Sequence, residues 1–321
     1  MTLWSTLRAL FARPLSGTAT PATPTEVEDS IFRLDDGWWG LHASSPNRRW
    51  VISWRDGHWT ESASGKRRFE FGAYLLYDAQ AEAVLVEGVS PRPNNGAVAD
   101  DGTFILEDWG DPSELASSFM AFTASGSPLL NAHFTANVMF SAISPHGRYA
   151  VAQMANSSSE DSGQLMLFDL RKGVRLYSVV SAAGWPDCYS VDDDTGEVTA
   201  HLREFGEFRY APNGVFSDAE RLEQVKLDGG DARDIGWVVE ALLHEPALSQ
   251  VRAERAVAGL ERVLAKGPWD DPRERARALK RLGQLEERLD HPGRAIGAYE
   301  EAYALDAKVG VKRRLDALRK Q

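Results

Sequence analysis

A strand-like apolar phrase recurs through the first two thirds of this chain. Tyr74-Leu75-Leu76-Tyr77-Asp78, Phe119-Met120-Ala121-Phe122-Thr123, Leu165-Met166-Leu167-Phe168-Asp169 and Glu207-Phe208-Arg209-Tyr210-Ala211 end 45, 46 and 42 residues apart. A period in that range marks one supersecondary unit repeated, since such a unit cannot bury its apolar faces alone. Each phrase follows a hairpin with a polar or glycine-bearing turn, at residues 44–54, 99–107, 144–153 and 192–202. Turn residues such as Pro46-Asn47 and Asp101-Gly102 accept the backbone conformations that tight hairpins need. The first three phrases also lead through a turn into a further apolar run, at 83–89, 129–130 and 174–180. The pattern predicts four antiparallel strands about every 45 residues.

Ser144-Pro145-His146-Gly147 entering one strand, with Leu167-Phe168-Asp169 closing the next, resembles the blade of a WD-repeat-like β-propeller. The resemblance covers residues 36–227. It is fullest in the third unit, at Ser144, Pro145, Gly147, Tyr149, Phe168, Asp169 and Gly173, and thinnest in the fourth, whose phrase ends Tyr210-Ala211-Pro212. No unit has the Trp-Asp dipeptide in its usual place, and Trp54 and Trp109 do not substitute for it. The resemblance implies a ring or arc of blades that recognises other proteins, and implies no activity. Four units admit a compact four-bladed ring, an open arc capped by the helical region, or a ring closed by dimerisation. An ordinary β-sandwich is the alternative.

The first unit is expanded. Its segment 55–68 is longer than common hairpin loops, and five of the ten tryptophans lie nearby: Trp38, Trp39, Trp50, Trp54 and Trp59. Large aromatics fill gaps between blades, which is the expectation for Trp39 and Trp50. Trp59, beside His58 in a polar loop, is expected at the surface, where an aromatic with a wet edge can anchor a partner. His58 and Trp59 are therefore candidate partner-binding residues.

From Asp231 the apolar period changes from 2 to 3.6. Ile235, Val238, Val239, Leu242 and Leu243 form one stripe, Pro246 interrupts it, and Val251, Val257, Leu260, Val263 and Leu264 continue on a second helix. After Gly267-Pro268, Asp270 or Asp271 can cap a new helix with Pro272 in its first turn. Residues 276–308 resemble a tetratricopeptide (TPR) repeat through Leu279, Leu282, Gly283, Ala295, Tyr299 and Ala302, with Glu286 where that family usually has tyrosine. Val311, Leu315 and Leu318 then mark a capping helix. The resemblance implies a groove lined by the first helix of the pair, with Lys280, Gln284 and Arg288 as candidate partner-binding residues. A solvated helix face is the plainer reading of the same three.

The 321 residues carry 36 basic and 47 acidic side chains. Residues 231–321 hold 18 basic and 16 acidic, so the first 230 residues carry all the excess acid, 31 against 18. Such a surface repels phosphate backbones, so no nucleic-acid contact is expected through residues 1–230. One cysteine, Cys188, excludes an internal disulfide and a thiolate cluster, and its neighbours Asp187 and Tyr189 point to a buried structural thiol. The seven histidines show no H-x-x-x-H spacing, and no G-x-S-x-G, P-loop or G-x-G-x-x-G occurs. Asp192-Asp193-Asp194-Thr195-Gly196 resembles the start of a calcium loop without its closing glutamate, and a hairpin turn accounts for it.

Leu3, Leu7, Leu10 and Phe11 give residues 1–13 an amphipathic helix, broken as a signal peptide by Arg8 and Arg13. It could dock on its own domain, a partner or a membrane surface. Residues 14–30 read as a flexible Pro/Thr-rich linker. The organisation expected is thus multidomain β plus α: helix 1–13, linker 14–30, a four-unit β-propeller-like domain at 31–228 and a short TPR-like helical domain at 231–321. The function expected is a cytoplasmic, non-catalytic scaffold or adaptor without cofactor or metal, taking a protein partner that is basic or presents an extended peptide. An enzyme with its site in the propeller channel and a self-assembling homo-oligomer are the alternatives.

Overall fold

The computed structural model describes residues 31–61, 64–65, 67–266 and 269–320 in full, and the backbone of 13–14, 20–21 and 24–27. The chain divides into two compact units, Met1–Ser217 and Asp218–Gln321. The elements described are strands in the first and helices in the second. The boundary precedes the expected 228–231 junction because Ala219–Gly229 forms helix α1. That helix buries only Leu222, Lys226 and Leu227, too sparse a stripe to register as a 3.6 period.

Four antiparallel sheets follow one another along the first unit. The first contains β1 (Arg13–Pro14), β2 (Thr20–Pro21), β3 (Pro24–Val27), β4 (Ile31–Leu34), β5 (Trp39–Ser44) and β6 (Trp50–Arg55). A two-stranded arm, β7 (His58–Glu61) with β8 (Arg67–Glu70), comes next, and β9 (Gly72–Asp78) and β10 (Ala83–Ser90) complete the first sheet. The second sheet is β11 (Pro93–Val98), β12 (Phe104–Asp108), β13 (Ser117–Phe122) and β14 (Pro128–Phe134). The third is β15 (Val138–Ile143), β16 (Tyr149–Met154), β17 (Gln164–Asp169) and β18 (Val174–Val180). The fourth has three strands, β19 (Cys188–Val191), β20 (Val198–Leu202) and β21 (Gly206–Tyr210). The four recurring phrases are β9, β13, β17 and β21.

Residues 14–30, expected to be a linker, are correspondingly tied down in part. β1 and β2 pair with β10, and β3 pairs with β4. Threonine and valine suit strands, and proline is tolerated at sheet edges, so the composition that reads as a linker also serves an edge strand. The helix expected at 1–13 lies outside the described residues, except for Arg13 in β1.

Sheet packs on sheet in series. Trp50, Ile52, Trp54 and Tyr74 of the first meet Phe104, Leu106 and Phe122 of the second. Ile105, Phe119 and Ala121 on the other face of the second meet Ala150, Ala152 and Phe168 of the third. All six residues of β16 are buried, as a strand covered on both faces must be. Among the described residues no strand of the fourth sheet packs extensively against the first, and the unit is propeller-like: four antiparallel sheets in series. Trp50 fills an inter-sheet gap as expected, with its Nε1–H donating to the Asp100 carbonyl at 3.0 Å. Trp39 does not: it is 58% exposed at the start of β5, two residues before the likewise exposed Leu41.

The hairpin turns also bind sheet to sheet. Ser45 Oγ accepts from the Trp50 N–H at 3.0 Å, and Ser144 Oγ from the Tyr149 N–H at 2.9 Å, so these serines close equivalent turns. Gly147 has φ 71°; the same place in the first turn is held by Arg48 at φ 59°, a conformation that glycine adopts without strain. The Asn47 N–H then donates to Asp100 Oδ1 at 2.7 Å, the Asp100 N–H to the Pro145 carbonyl at 2.7 Å, and the His146 N–H to Asp193 Oδ2 at 2.7 Å. Asp193 Oδ1 also accepts from the Ser144 hydroxyl at 2.6 Å. Asp193→Ala removes both acceptors from the third-to-fourth junction and should cost about 2 kcal/mol in denaturant unfolding.

Between the second and third sheets Glu107 is buried, with Asn95 and Ser141 donating to its Oε1. Burial pushes this carboxyl above its ordinary range, and the two hydrogen bonds only partly offset that. The folded state therefore holds the proton more tightly than the unfolded chain, and stability falls as pH rises from the unfolded value of about 4.3 through the folded one. Glu107→Gln keeps the acceptor without the charge. Its melting temperature relative to the parent should be higher at pH 7 than at pH 4, and an unchanged difference would refute the burial account.

The helical unit continues from α1 through α2 (Ala232–His244), α3 (Gln250–Ala265), α4 (Pro272–Arg288), α5 (Pro292–Leu305) and α6 (Lys312–Leu318). Asp231 and Asp234 form a capping box on α2, and Asp271 caps α4 ahead of Pro272. The apolar stripes bury as expected, save that Val251 is exposed in the first turn of α3. A Cβ on Gly283 would lie 2.5 Å from the Tyr299 ring, so α4 and α5 approach too closely there for any side chain. Glu286 is buried between His291 Nδ1 at 2.9 Å and Arg294 Nη2 at 2.9 Å, which ties the start of α5 back to α4.

Candidate interaction surfaces

Helix α4 packs against α2, α3 and α5. Ala276, Leu279 and Gly283 face inward, which leaves Arg273, Arg277, Lys280, Gln284 and Arg288 at spacings that share the opposite face. Lys280 and Gln284 are half-buried and Arg273 and Arg277 exposed. Arg288 is otherwise engaged: its Nη1 donates to the Glu245 carbonyl at 3.2 Å and its Nη2 to the Leu243 carbonyl at 2.9 Å, so it caps the C-terminus of α2. Of the three residues expected in this groove, Lys280 and Gln284 therefore stay together on an open stripe, and Arg288 is a structural cap. Arg273 and Arg277 extend the stripe toward the helix start. Counting back from Lys280 by three and seven residues finds both.

The flanks of α4 are neutralised. Arg281 pairs with Glu240 on α2 at 3.0 Å, and Arg275 with Glu301 on α5 at 2.6 Å. Glu287 holds Arg314 of α6 and the Tyr299 hydroxyl. Nearby, Lys226 on α1 is buried over the Trp237 ring, 3.8 Å from Asp234, and burial pulls its pKa down.

In the first unit, the loop expected at 55–68 is largely the β7–β8 arm. Trp59 stacks edge-on against Phe69 at 5.3 Å, with the Arg67 guanidinium over its ring at 5.3 Å. Trp59 is 52% exposed, as expected, and His58 is exposed at 3.9 Å from Glu70. Gly57 lets the arm leave the sheet: a Cβ there would strike the Pro91 carbonyl at 2.2 Å. The arm places His58 and Trp59 on one projecting hairpin, and each unit keeps its own candidates.

Other reactive groups are accounted for locally. Asp192 accepts from the Thr195 N–H and hydroxyl at 2.8 and 2.7 Å, and Asp193 binds the third sheet, so the acidic triplet is a turn. No group of three metal-ligating side chains occurs among the described residues. Cys188 is exposed rather than buried, because β19 alternates and puts Tyr189 and Val191 inward. Its strand neighbours include a constellation that scattered sequence positions conceal: Ser190 Oγ lies 2.8 Å from His201 Nε2, and Glu207 Oε1 lies 3.4 Å from His201 Nδ1. These lie on the solvent face of a three-stranded sheet, not in a cleft. A similar cross-strand pair, Ser118 with His133 Nδ1 at 2.8 Å, occurs on the second sheet.

No family model and no curated protein matches the sequence. Among solved structures the chain is similar to the Dos1 propeller, at 14% identity and a TM-score of 0.37 over 59% of this chain and 52% of that one. The chain spans about half the length of that structure. The succession of four packed antiparallel sheets is what makes the first unit propeller-like. No helix among the described residues is long and apolar enough to cross a membrane.

Because Arg288 caps α2, Arg288→Ala should lower the unfolding free energy by about 1 kcal/mol through two carbonyls left to water. Chemical denaturation reads this directly.

Proposed function

We propose that the chain is a non-catalytic interaction or scaffold protein, and that the α4 stripe docks an extended acidic segment of a partner protein. The observation that carries this reading is the unequal use of cations in the helical unit. Arg275, Arg281, Arg294, Arg314 and Arg319 each meet a glutamate. Arg273, Arg277 and Lys280 meet no carboxylate among the described residues, yet stand in line over two turns of one helix. A positive strip of that kind favours a chain of carboxylates, which gains contact and sheds little hydration at an exposed surface. In the TPR-like reading, α2–α3 and α4–α5 are successive helix pairs, α6 is the cap, and α4 is the floor of the groove.

Trp59 with Arg67 on the arm supports a second contact point, since an exposed aromatic held by a neighbour loses little entropy on binding. The acidity of the first unit supports a basic partner surface there. Anisotropy of a labelled oligo-glutamate peptide with the full chain tests the α4 reading. Arg277→Glu/Lys280→Glu should weaken binding at least about tenfold with the melting temperature kept, and 0.5 M salt should do the same. Equal binding by that variant would remove the stripe from consideration.

A further inference from the structure

The outer strands β10 and β18 are equivalent, and among the described residues strands pair with the outer edge of β10 alone. In both, an aspartate closes the preceding strand opposite the first residue, Asp78 with Ala83 and Asp169 with Val174. Each then carries a register shift at the third residue, Leu85 in β10 and Leu176 in β18. The correspondence continues from Val86 with Tyr177 to Val89 with Val180. On β10, two short segments of this chain add as antiparallel strands: Pro21 and Thr20 beside Ala83 and Val84, then Pro14 and Arg13 beside Val86 and Glu87. Among the described residues no strand pairs with the outer edge of β18.

Exposure follows that difference where the added segments lie: Ala83 is 4% exposed and its equivalent Val174 44%, whereas Val89, beyond those segments, is 42% exposed and its equivalent Val180 68%. The other outer edges have their own protection. β14 opens with a proline, and the turn at Gly173 comes so close that a Cβ there would lie 2.9 Å from the Leu129 carbonyl. β21 is followed by Phe216, which bridges back to Tyr210, and by Ser217, whose N–H donates to the Arg209 carbonyl. An apolar strand edge left open is a template for pairing with another chain.

We propose that the outer edge of β18 receives an extended segment of a partner protein as an added antiparallel strand. The chemistry of the segment follows from the edge. Val174, Leu176 and Val180 favour small apolar or Pro/Thr side chains, as in the segment that β10 accepts. Arg171, Lys172 and Arg175 are exposed, and among the described residues only Lys172 has a carboxylate partner, Asp169 at 3.2 Å. Antiparallel pairing places the C-terminal end of the guest beside that basic turn, so the guest carries its acidic residues there. Residues 13–29 of this chain, ending Glu26-Val27-Glu28-Asp29, have this composition. In each copy, segments of that stretch already pair with β10 and β4, which makes a different protein the guest. The site is on the first unit and is independent of the α4 stripe.

A labelled peptide of residues 13–29 is the probe, with the full chain as the binder and anisotropy as the readout. Saturable binding in the range of about 10–100 μM is expected, as for a short segment that orders on binding. Leu176→Asp/Val180→Asp, both exposed positions, should weaken it at least about tenfold without moving the melting temperature. Val89→Asp, at the corresponding place on β10, should leave it unchanged. The proposal is overturned by absence of saturation up to about 1 mM, by equal binding to the β18 variant, or by equal loss in the Val89 variant, which would place the peptide on β10. Self-association of the unliganded chain that the β18 substitutions abolish would also overturn it, since the guest would then be a second copy.

Discussion

The first unit depends on burial of its sheets on both faces. A strand sends successive side chains to opposite sides, so a strand buried at every position, as β16 is, exists only between two neighbours. This makes the repeat obligatory: the second sheet cannot be stable without the first and third, and the series must end in a sheet whose far face suits water. The fourth sheet meets that condition. Tyr189, Val191, Val198, Ala200, Phe208 and Tyr210 are buried, while Cys188, Ser190, Glu207 and Arg209 on the opposite face are exposed. A polar far face is how a stacked array stops.

Apolar burial is not directional, and stacked sheets could slide past one another at little cost if nothing else fixed them. Register between blades comes from the turns. Asp100 and Asp193 each accept an N–H from the preceding turn, which sets one sheet's height against the next to within a hydrogen bond. Tyr189 adds a buried link, donating to Gln153 Oε1 across the third-to-fourth junction at 2.8 Å. The acidic character of the turns is thus partly a fastening, and net charge is its by-product.

What was legible in the sequence follows the strength of the local signal. The four repeated strands, the Ser45 and Ser144 turns, the caps at Asp231 and Asp271 and the Gly283–Tyr299 contact all have signals within a few residues of themselves. What escaped depends on partners distant in the chain. Trp39 resembles Trp50 in sequence, and only the tertiary packing decides that one is exposed and the other buried. The linker-like composition of 14–30 says nothing of β10, some 60 to 70 residues on. Arg288 shares the helix face of Lys280 and Gln284, and its role as a cap is set by the carbonyls of Leu243 and Glu245. Ser190, His201 and Glu207 lie on three strands and meet only once those strands pair.

The distribution of charge also has a consequence for recognition. The chain is acidic by 11, yet the α4 stripe and the Arg171–Arg175 turn of β18 are local patches of the opposite sign. At physiological ionic strength fields decay over about 8 Å, so an approaching segment responds to the patch beneath it and hardly to the total. On the acidic first unit the surrounding charge acts against misplacement: in the proposed complex an acidic guest shifted off the β18 turn meets like charge and loses its contacts together. Selection of place by repulsion around a small attractive surface needs no deep pocket, and the proposed β18 edge is exposed and built on a regular strand whose side-chain spacing is fixed.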